Sequence, residues 1–89
     1  MTAEQLTTIT KLLDVGEIES VCPIKPRYTN SGNTRFRPQL VQIYIDGHRH
    51  EVDVFADGRS RIYDAAGLEL SFTFVENMFA TAAVKRAAA

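Results

Sequence analysis

The chain has 89 residues, of which 45% are hydrophobic and 24% are charged, and its net charge is −1. This length allows one domain with a modest core, so we expect residues 1–89 to form a single unit. A net charge so close to zero excludes global attraction to nucleic acid or to an anionic membrane, and any such preference must be local.

The cysteine content and the N-terminus predict a cytoplasmic protein. The single cysteine, Cys22, cannot form a disulfide within the chain, which is typical of reducing compartments. Residues 1–13 have neither a basic start nor a long apolar run, so we do not expect a signal peptide. No apolar stretch approaches the roughly 18 residues that cross a bilayer, so no membrane partner is predicted.

The first predicted element is a helix over residues 3–14. Thr2 and Gln5 have the spacing of a capping box at its start. Gly16 is expected to end it in the left-handed conformation. The predicted apolar face consists of Leu6, Ile9, Leu12 and Leu13.

Residues 17–24 predict a strand, and Pro23 places it at a sheet edge because proline has no N–H to donate. Cys22 on this strand has no evident base nearby, so we expect a small buried side chain, not a nucleophile. Residues 25–38 contain two prolines and the turn sequence Asn-Ser-Gly-Asn, which predict an irregular basic loop or hairpin tip.

Residues 39–72 predict four short strands joined by three tight turns. Asp46-Gly47 is typical of a two-residue hairpin turn, and Gly58 and Gly67 each end a three-residue loop. A two-residue turn at Asp57-Gly58 would instead bury Arg61, which is costly. These registers predict that one face of the sheet is apolar. Its residues are Val41, Ile43, Ile45, Val52, Val54, Ile62, Leu68, Leu70 and Phe72.

A second predicted helix follows, with Thr73 and Glu76 at capping-box spacing. Lys85 and Arg86 lie near its C-terminus, where the helix dipole favours cations, and residues 87–89 are expected to fray. Its apolar stripe is Val75, Met78, Phe79 and Ala82. The predicted fold is α+β, a four- to five-stranded antiparallel meander with the N- and C-terminal helices packed on one face, in the order α-β-β-β-β-β-α.

Two histidines are the candidate metal ligands. His48 and His50 alternate on one strand and therefore share a face, and Asp64 would lie beside His50 across the sheet. The alternative is a hydrogen bond between His50 and Asp64 with no metal. An H-x-H pattern alone is a weak motif, so we predict neither a metal nor any other cofactor.

Catalytic motifs for nucleophilic, nucleotide or zinc-protease chemistry do not occur in the sequence. Glu51 and Asp53 share a strand face and could in principle form an acid–base pair. They alternate with Arg49, and Asp53 should face Arg61, so charge pairing across strands explains them better. We therefore do not expect an enzyme.

The strongest functional signal is a combination of arginines and aromatic residues, typical of protein interfaces. The solvent-facing side of the sheet also carries Glu51, Asp53 and Glu69. These carboxylates would repel phosphates and so favour a protein partner. Nucleic acid, as RNA or a single strand, remains the alternative for the same surface. Self-association into a homodimer is a further possibility. The predicted contact residues are Lys25, Arg27, Tyr28, Arg35, Phe36, Arg37, Tyr44, Phe55, Arg59, Arg61 and Tyr63.

The order helix–strands–helix is similar to that of double-stranded-RNA-binding domains, which contact RNA through lysines at the start of their second helix. Here that segment, residues 72–77, reads Phe-Thr-Phe-Val-Glu-Asn and has no lysine, so RNA binding in that mode is not implied. In size and lack of catalytic motifs, the chain resembles small phage or mobile-element inhibitors of host defence, anti-CRISPR proteins among them. That resemblance assigns no residues.

Overall fold

The computed structural model describes residues 1–23 and 38–88. Over these residues, two helices pack on one face of a four-stranded antiparallel sheet, which confirms the predicted α+β fold. The elements are α1 Ala3–Leu12, β1 Glu17–Pro23, β2 Gln39–Ile45, β3 His48–Val54, β4 Ser60–Tyr63 and α2 Phe72–Ala88. The strand order is β1-β2-β3-β4, so each strand pairs with its neighbours in sequence.

The predicted registers of β2 with β3 and of β3 with β4 are confirmed. Asp46 and Gly47 have φ values of 51° and 79°, the two positive angles that a tight type I′ hairpin requires. This turn places Ile43 opposite His50. The three-residue loop that ends at Gly58 places Val52 opposite Ile62 and Asp53 opposite Arg61, so Arg61 stays out of the core.

The core forms where the sheet meets the helices. Val41, Ile43, Val52, Val54 and Ile62 have no exposed surface, and Ile45 is also buried. Burial of each such side chain contributes roughly 1.5–3 kcal/mol. From α1 the core receives Ile9 and Leu12.

The capping box at Thr2 and Gln5 is confirmed, but the predicted inward face of α1 is partly wrong. Leu6 and Leu13 are 57% and 61% exposed, whereas Gln5 is buried with Ile9 and Leu12. The reason is a hydrogen bond from Gln5 Nε2 to the Val54 carbonyl oxygen at 3.1 Å, which turns this side of α1 toward the sheet.

Gly16 does not adopt the left-handed conformation predicted for it, since in residues 1–23 and 38–88 the glycines with positive φ are Gly47, Gly58 and Gly67. Instead, α1 ends in a right-handed turn at Leu13. A Cβ on Gly16 would lie 2.2 Å from the carbonyl oxygen of Tyr44. Glycine is needed here because β1 approaches the β2 backbone closely.

The edge position of β1 is confirmed, whereas the expected burial of Cys22 is wrong: its thiol is free and exposed. Cys22 pairs with Leu40, and its neighbour Val21 pairs with Val41 on the helix-covered side. Because side chains alternate along a strand, Cys22 therefore lies on the uncovered face at the sheet edge. Ile24, the last residue of the predicted strand, lies outside the described residues.

The predicted fifth strand is shortened to one bridge, between Tyr63 and Glu69, followed by a hydrogen bond from the Leu70 N–H to the Ile62 carbonyl at 2.8 Å. Phe72 does not continue the strand opposite Ser60, because α2 begins there. Ser71 caps this helix, accepting from the Phe74 N–H through its hydroxyl and from the Val75 N–H through its carbonyl. Consequently Leu68 and Phe72, expected in the core, are 67% and 75% exposed.

The inward stripe of α2 is confirmed: Val75, Met78 and Phe79 pack against the core and Ala82 is buried. Near its C-terminus, Arg86 contacts Asp14 at 3.2 Å. The helix includes residues 87–88, and fraying of this tail stays a prediction. Neither helix in the described part of the chain is long and apolar enough to cross a membrane.

Candidate functional site

The candidate site is the face of the sheet opposite the two helices, which we term the open face. Strand alternation and register place its side chains together: Gln42, Tyr44, Arg49, Glu51, Asp53, Arg61 and Tyr63. The β3–β4 loop adds Phe55 and Arg59 beside it. The basic-loop residues predicted to join this surface, Lys25, Arg27, Tyr28, Arg35, Phe36 and Arg37, lie outside the described residues.

The open face presents aromatic and arginine side chains to solvent. Tyr44 is 39% exposed, and the side chain of Arg59 is 87% exposed. Phe55 and Tyr63 are half-buried, and Arg61 is exposed. The guanidinium carbon of Arg61 lies 6.0 Å from the centroid of the Phe55 ring, within the range of a cation–π contact.

Charges on and beside the open face are mixed in sign. Arg49 Nε lies 3.8 Å from a Glu19 carboxylate oxygen, with both side chains nearly half exposed. Glu19 was missed in the sequence because it lies at a β-bulge between Ile18 and Ser20, which shifts the register of β1. No residue pattern in β1 predicts that bulge. The local surface is therefore not uniformly basic.

Asp53 is not at the solvent-exposed position predicted for it. Its register opposite Arg61 is confirmed, but the residue is only 2% exposed. Asp53 lies on the central strand β3, with Leu40 and Arg61 directly opposite it on either side, so longer neighbours shield the short carboxylate. The solvent-facing part of the open face is thus formed by the longer side chains around it.

The β3–β4 loop is held in place by α1. Thr2 Oγ1 donates to the Ala56 carbonyl at 2.8 Å, and Thr8 Oγ1 donates to the Gly58 carbonyl at 2.6 Å. Within the loop, the Phe55 N–H donates to the Arg59 carbonyl at 2.8 Å. These bonds fix the backbone that presents Phe55 and Arg59, so two of the predicted contact residues are pre-organised.

Asp57 is the residue of this loop with a perturbed acidity. Its carboxylate accepts from the Arg59 backbone N–H at 3.0 Å and from Arg59 Nε at 2.6 Å. Hydrogen bonds to the ionised form stabilise it, so they lower the pKa of Asp57, with the backbone bond contributing most. Arg59 therefore projects from the loop in a defined direction.

The structure does not bring His48, His50 and Asp64 together as the candidate metal group. His50 Nδ1 lies 2.8 Å from the carbonyl oxygen of His48. Asp64 Oδ1 instead accepts from the N–H groups of Ala66 and Leu68, both at 2.9 Å, and stabilises the turn. Among residues 1–23 and 38–88, no three His, Cys, Asp or Glu side chains are placed to share a metal ion.

A second feature, which the sequence pattern did not predict, is a groove of about 1050 Å³ along the outer edge of β4. We term it the edge groove. The helix α1 contributes Thr8 and Lys11 to one wall, and α2 contributes the opposite wall. The groove was missed because it depends on the early start of α2, which withdraws the chain from the sheet before a fifth strand can form. Other residues that line the groove are Ser60, Ile62, Leu70, Phe72, Val75 and Phe79.

Comparison of the chain with protein-family models, with curated proteins and with solved structures found no match.

Proposed function

We propose that this protein is a non-enzymatic binding module that occupies the surface of a partner protein in the cytosol, in the manner of a small inhibitor. The contact would be made by the open face together with the basic loop predicted at residues 25–38. The observation that carries the proposal is that both helices pack on one side of the sheet and leave Tyr44, Phe55, Arg59, Arg61 and Tyr63 on or beside the other.

The aromatic side chains supply the anchoring contacts in this proposal. Tyr44 is 39% exposed, and its backbone pairs with Glu17 of β1 and Arg49 of β3, so little backbone entropy is lost when it is covered. Tyrosine, phenylalanine and arginine are the residue types enriched at the centres of protein interfaces. The clamped β3–β4 loop adds Phe55 and Arg59 without a further ordering cost.

The mixed charge supports a protein partner over a nucleic acid. Arg49 lies beside Glu19 at 3.8 Å, and Arg59 is bonded to Asp57 at 2.6 Å. A surface that grips phosphates avoids carboxylates beside its arginines, because they repel the nucleic-acid backbone. Protein surfaces, which carry both signs of charge, can complement such a pattern.

The test is affinity capture from a bacterial host lysate, with and without nuclease, by three proteins: the unaltered chain, the double variant Tyr44→Asp/Arg49→Glu, and Thr7→Glu. Thr7 is exposed on α1, away from the open face, and its variant is the matched control. We expect a nuclease-resistant partner that binds the unaltered chain and the control and is lost with the double variant.

Two results would contradict the proposal. One is retention of the same partner by a double variant whose unfolding temperature is unchanged. The other is capture that disappears after nuclease treatment, together with retardation of RNA or single-stranded DNA at low salt, which would favour the nucleic-acid alternative.

A further inference from the structure

The outer edge of β4 is only partly covered by the rest of the described chain. The segment after β4 pairs with it as far as the bond from the Leu70 N–H to the Ile62 carbonyl. Beyond Leu70 the chain leaves the sheet through Ser71 and becomes α2. Among the described strands, β4 is the last in the sheet, so none lies beside Ser60 on this side.

The direction of the Ser60 backbone follows from the ladder. The Phe55 N–H donates to the Arg59 carbonyl, so Arg59 turns its carbonyl toward the β3 side. In an antiparallel pair, successive residues turn their N–H and C=O groups to alternate sides. Ser60 and Ile62 therefore turn theirs outward, as the bond from Leu70 to Ile62 shows. The outward N–H and C=O of Ser60 face the edge groove, which Ser60 also lines.

The walls of the edge groove are apolar where they meet the sheet. Ile62 and Leu70 lie at its base, and Val75 and Phe79 of α2 form one side. At the rim, Phe72 is 75% exposed, an unusual position for a large aromatic side chain. The groove thus combines an exposed strand edge with room for an apolar side chain, and these are the two elements of recognition by strand addition.

The described lining of the groove contains three cations, Lys11, Arg59 and Arg61, and two carboxylates, Glu69 and Glu76. Two of these cations already face a carboxylate: Arg59 is bonded to Asp57 at 2.6 Å, and Arg61 lies opposite Asp53 in the β3–β4 ladder. Lys11, exposed in the last turn of α1, forms no ion pair with the other described residues, so an acidic residue would be favoured at this end of the groove.

We propose that the edge groove binds an extended segment of a partner protein, which pairs with Ser60 as a short added strand, inserts an apolar side chain and places a carboxylate near Lys11. The edge groove shares Phe55, Arg59 and Arg61 with the contact surface of the proposed function. Strand addition at Ser60 goes beyond that function, because it does not require the open face to be an interface. Pairing of an added segment would continue the ladder that ends at Leu70.

The experiment uses the full chain, immobilised and presented with a random twelve-residue peptide library displayed on phage. We expect enrichment of peptides that contain an apolar residue and a nearby Asp or Glu. Their affinity is then measured by fluorescence anisotropy. The variants Phe72→Glu and Lys11→Glu, both at exposed positions, should each weaken binding at least tenfold. Phe72→Glu should leave the temperature of thermal unfolding unchanged, and Lys11→Glu should lower it by only a few degrees, because Lys11 lies in the last turn of α1.

Strand addition is tested separately through the backbone. Ser60→Pro removes the outward N–H while leaving the bonds to β3, and should abolish peptide binding, whereas Ser60→Thr should retain it. N-methylation of single peptide amides should abolish binding at alternate positions only. This second measurement does not depend on whether the proline variant folds.

Four outcomes would overturn the proposal. They are the absence of enriched peptides, enriched peptides that tolerate N-methylation at every position, displacement of a fluorescent apolar dye by dodecanoate with no peptide selected, and a dimer in light scattering that Phe72→Glu dissociates. The last two would assign the groove to a small amphipathic molecule or to a second copy of the chain. Loss of peptide binding in Phe72→Glu with retained capture in the open-face assay would separate the two surfaces.

Discussion

Gln5 of α1 donates a hydrogen bond from Nε2 to the carbonyl oxygen of Val54, 49 positions away in the chain, at 3.1 Å. The same side chain accepts from the Thr2 N–H through Oε1 at 2.8 Å. One buried amide, 1% exposed, therefore both caps the helix and docks it on the sheet. This double role explains why a polar residue occupies the inward side of α1.

Replacing Gln5 with alanine removes both bonds and leaves a small cavity. We expect Gln5→Ala to lower the free energy of unfolding by about 2 kcal/mol, which corresponds to a fall in Tm of about 10 °C for a chain of this size. Thermal and urea unfolding measure it. The matched control is Thr7→Ala, an exposed helical position that should change stability by less than about 0.5 kcal/mol. Equal effects of the two variants would contradict the docking role.

Gly16 and Gly67 make a matched pair for backbone effects. A Cβ on Gly16 would meet the Tyr44 carbonyl oxygen at 2.2 Å, so Gly16→Ala should force β1 away from β2 and cost more than about 2 kcal/mol. Gly67 has φ +84° with nothing near its Cβ position, so Gly67→Ala should cost only the strain of about 1–2 kcal/mol. Urea unfolding of both variants compares them. A larger loss for Gly67→Ala would show that the close approach at Gly16 is wrong.

The lowered pKa of Asp57 predicts a pH-dependent contribution to stability. Because the folded pKa lies below the ordinary value near 4, the contribution is present above about pH 4 and is lost as the pH falls through the folded pKa. We expect Asp57→Asn to be less stable than the unaltered chain at pH 7 by under about 1 kcal/mol, given the solvent exposure. The difference should shrink toward pH 2 in denaturant titrations. A gap that is constant over this range would refute the assignment.

Cys22 is exposed on the uncovered face of β1, so its thiol should react in the folded protein. We expect each chain to consume one equivalent of an aromatic disulfide reagent. Because reaction depends on thiol exposure, the rates with and without denaturant should differ by less than about tenfold. Cys22→Ser should abolish the reaction and leave stability nearly unchanged, since surface substitutions rarely exceed about 0.5 kcal/mol. Modification that occurs only after unfolding would show that the thiol is buried.

The sheet could be predicted from sequence because its turns are short and chemically specific. Asp46-Gly47 allows one hairpin register, and that register decides which side chains of β2 and β3 meet the helices. Hydrophobic alternation then agrees with it at Val41, Ile43 and Val52. Where local turn chemistry and side-chain pattern agree, little freedom remains for tertiary contacts to alter the outcome.

The errors lie where a tertiary contact outweighs the local pattern. Leu6 is a better core residue than Gln5 by hydrophobicity, yet the bond to Val54 decides which one faces the sheet. Ser71 caps α2 and ends the pairing at Leu70 before Phe72 can extend it, because Ser71 satisfies two backbone N–H groups at the helix start. The hydrophobic periodicity of the sequence indicates neither the burial of Gln5 nor the start of α2 after Ser71.

The candidate site could likewise be predicted from the sequence only in part. Tyr44, Arg61 and Tyr63 could be assigned to the open face from alternation alone, and their strand positions are as predicted. The burial of Asp53 and the edge groove depend on neighbouring side chains and on the path of the chain after Leu70. Neither has a local signal.

The strand order β1-β2-β3-β4 also has a consequence for folding speed. Each strand pairs with the next one along the chain. The hairpin at Asp46-Gly47 can therefore form within microseconds, with pairing that starts at the turn. The docking of α1 through Gln5 must instead close a long loop and should follow. We expect Gln5→Ala to increase the unfolding rate far more than it decreases the refolding rate in stopped-flow measurements. The main kinetic effect of this amide is therefore to slow the unfolding of the folded protein.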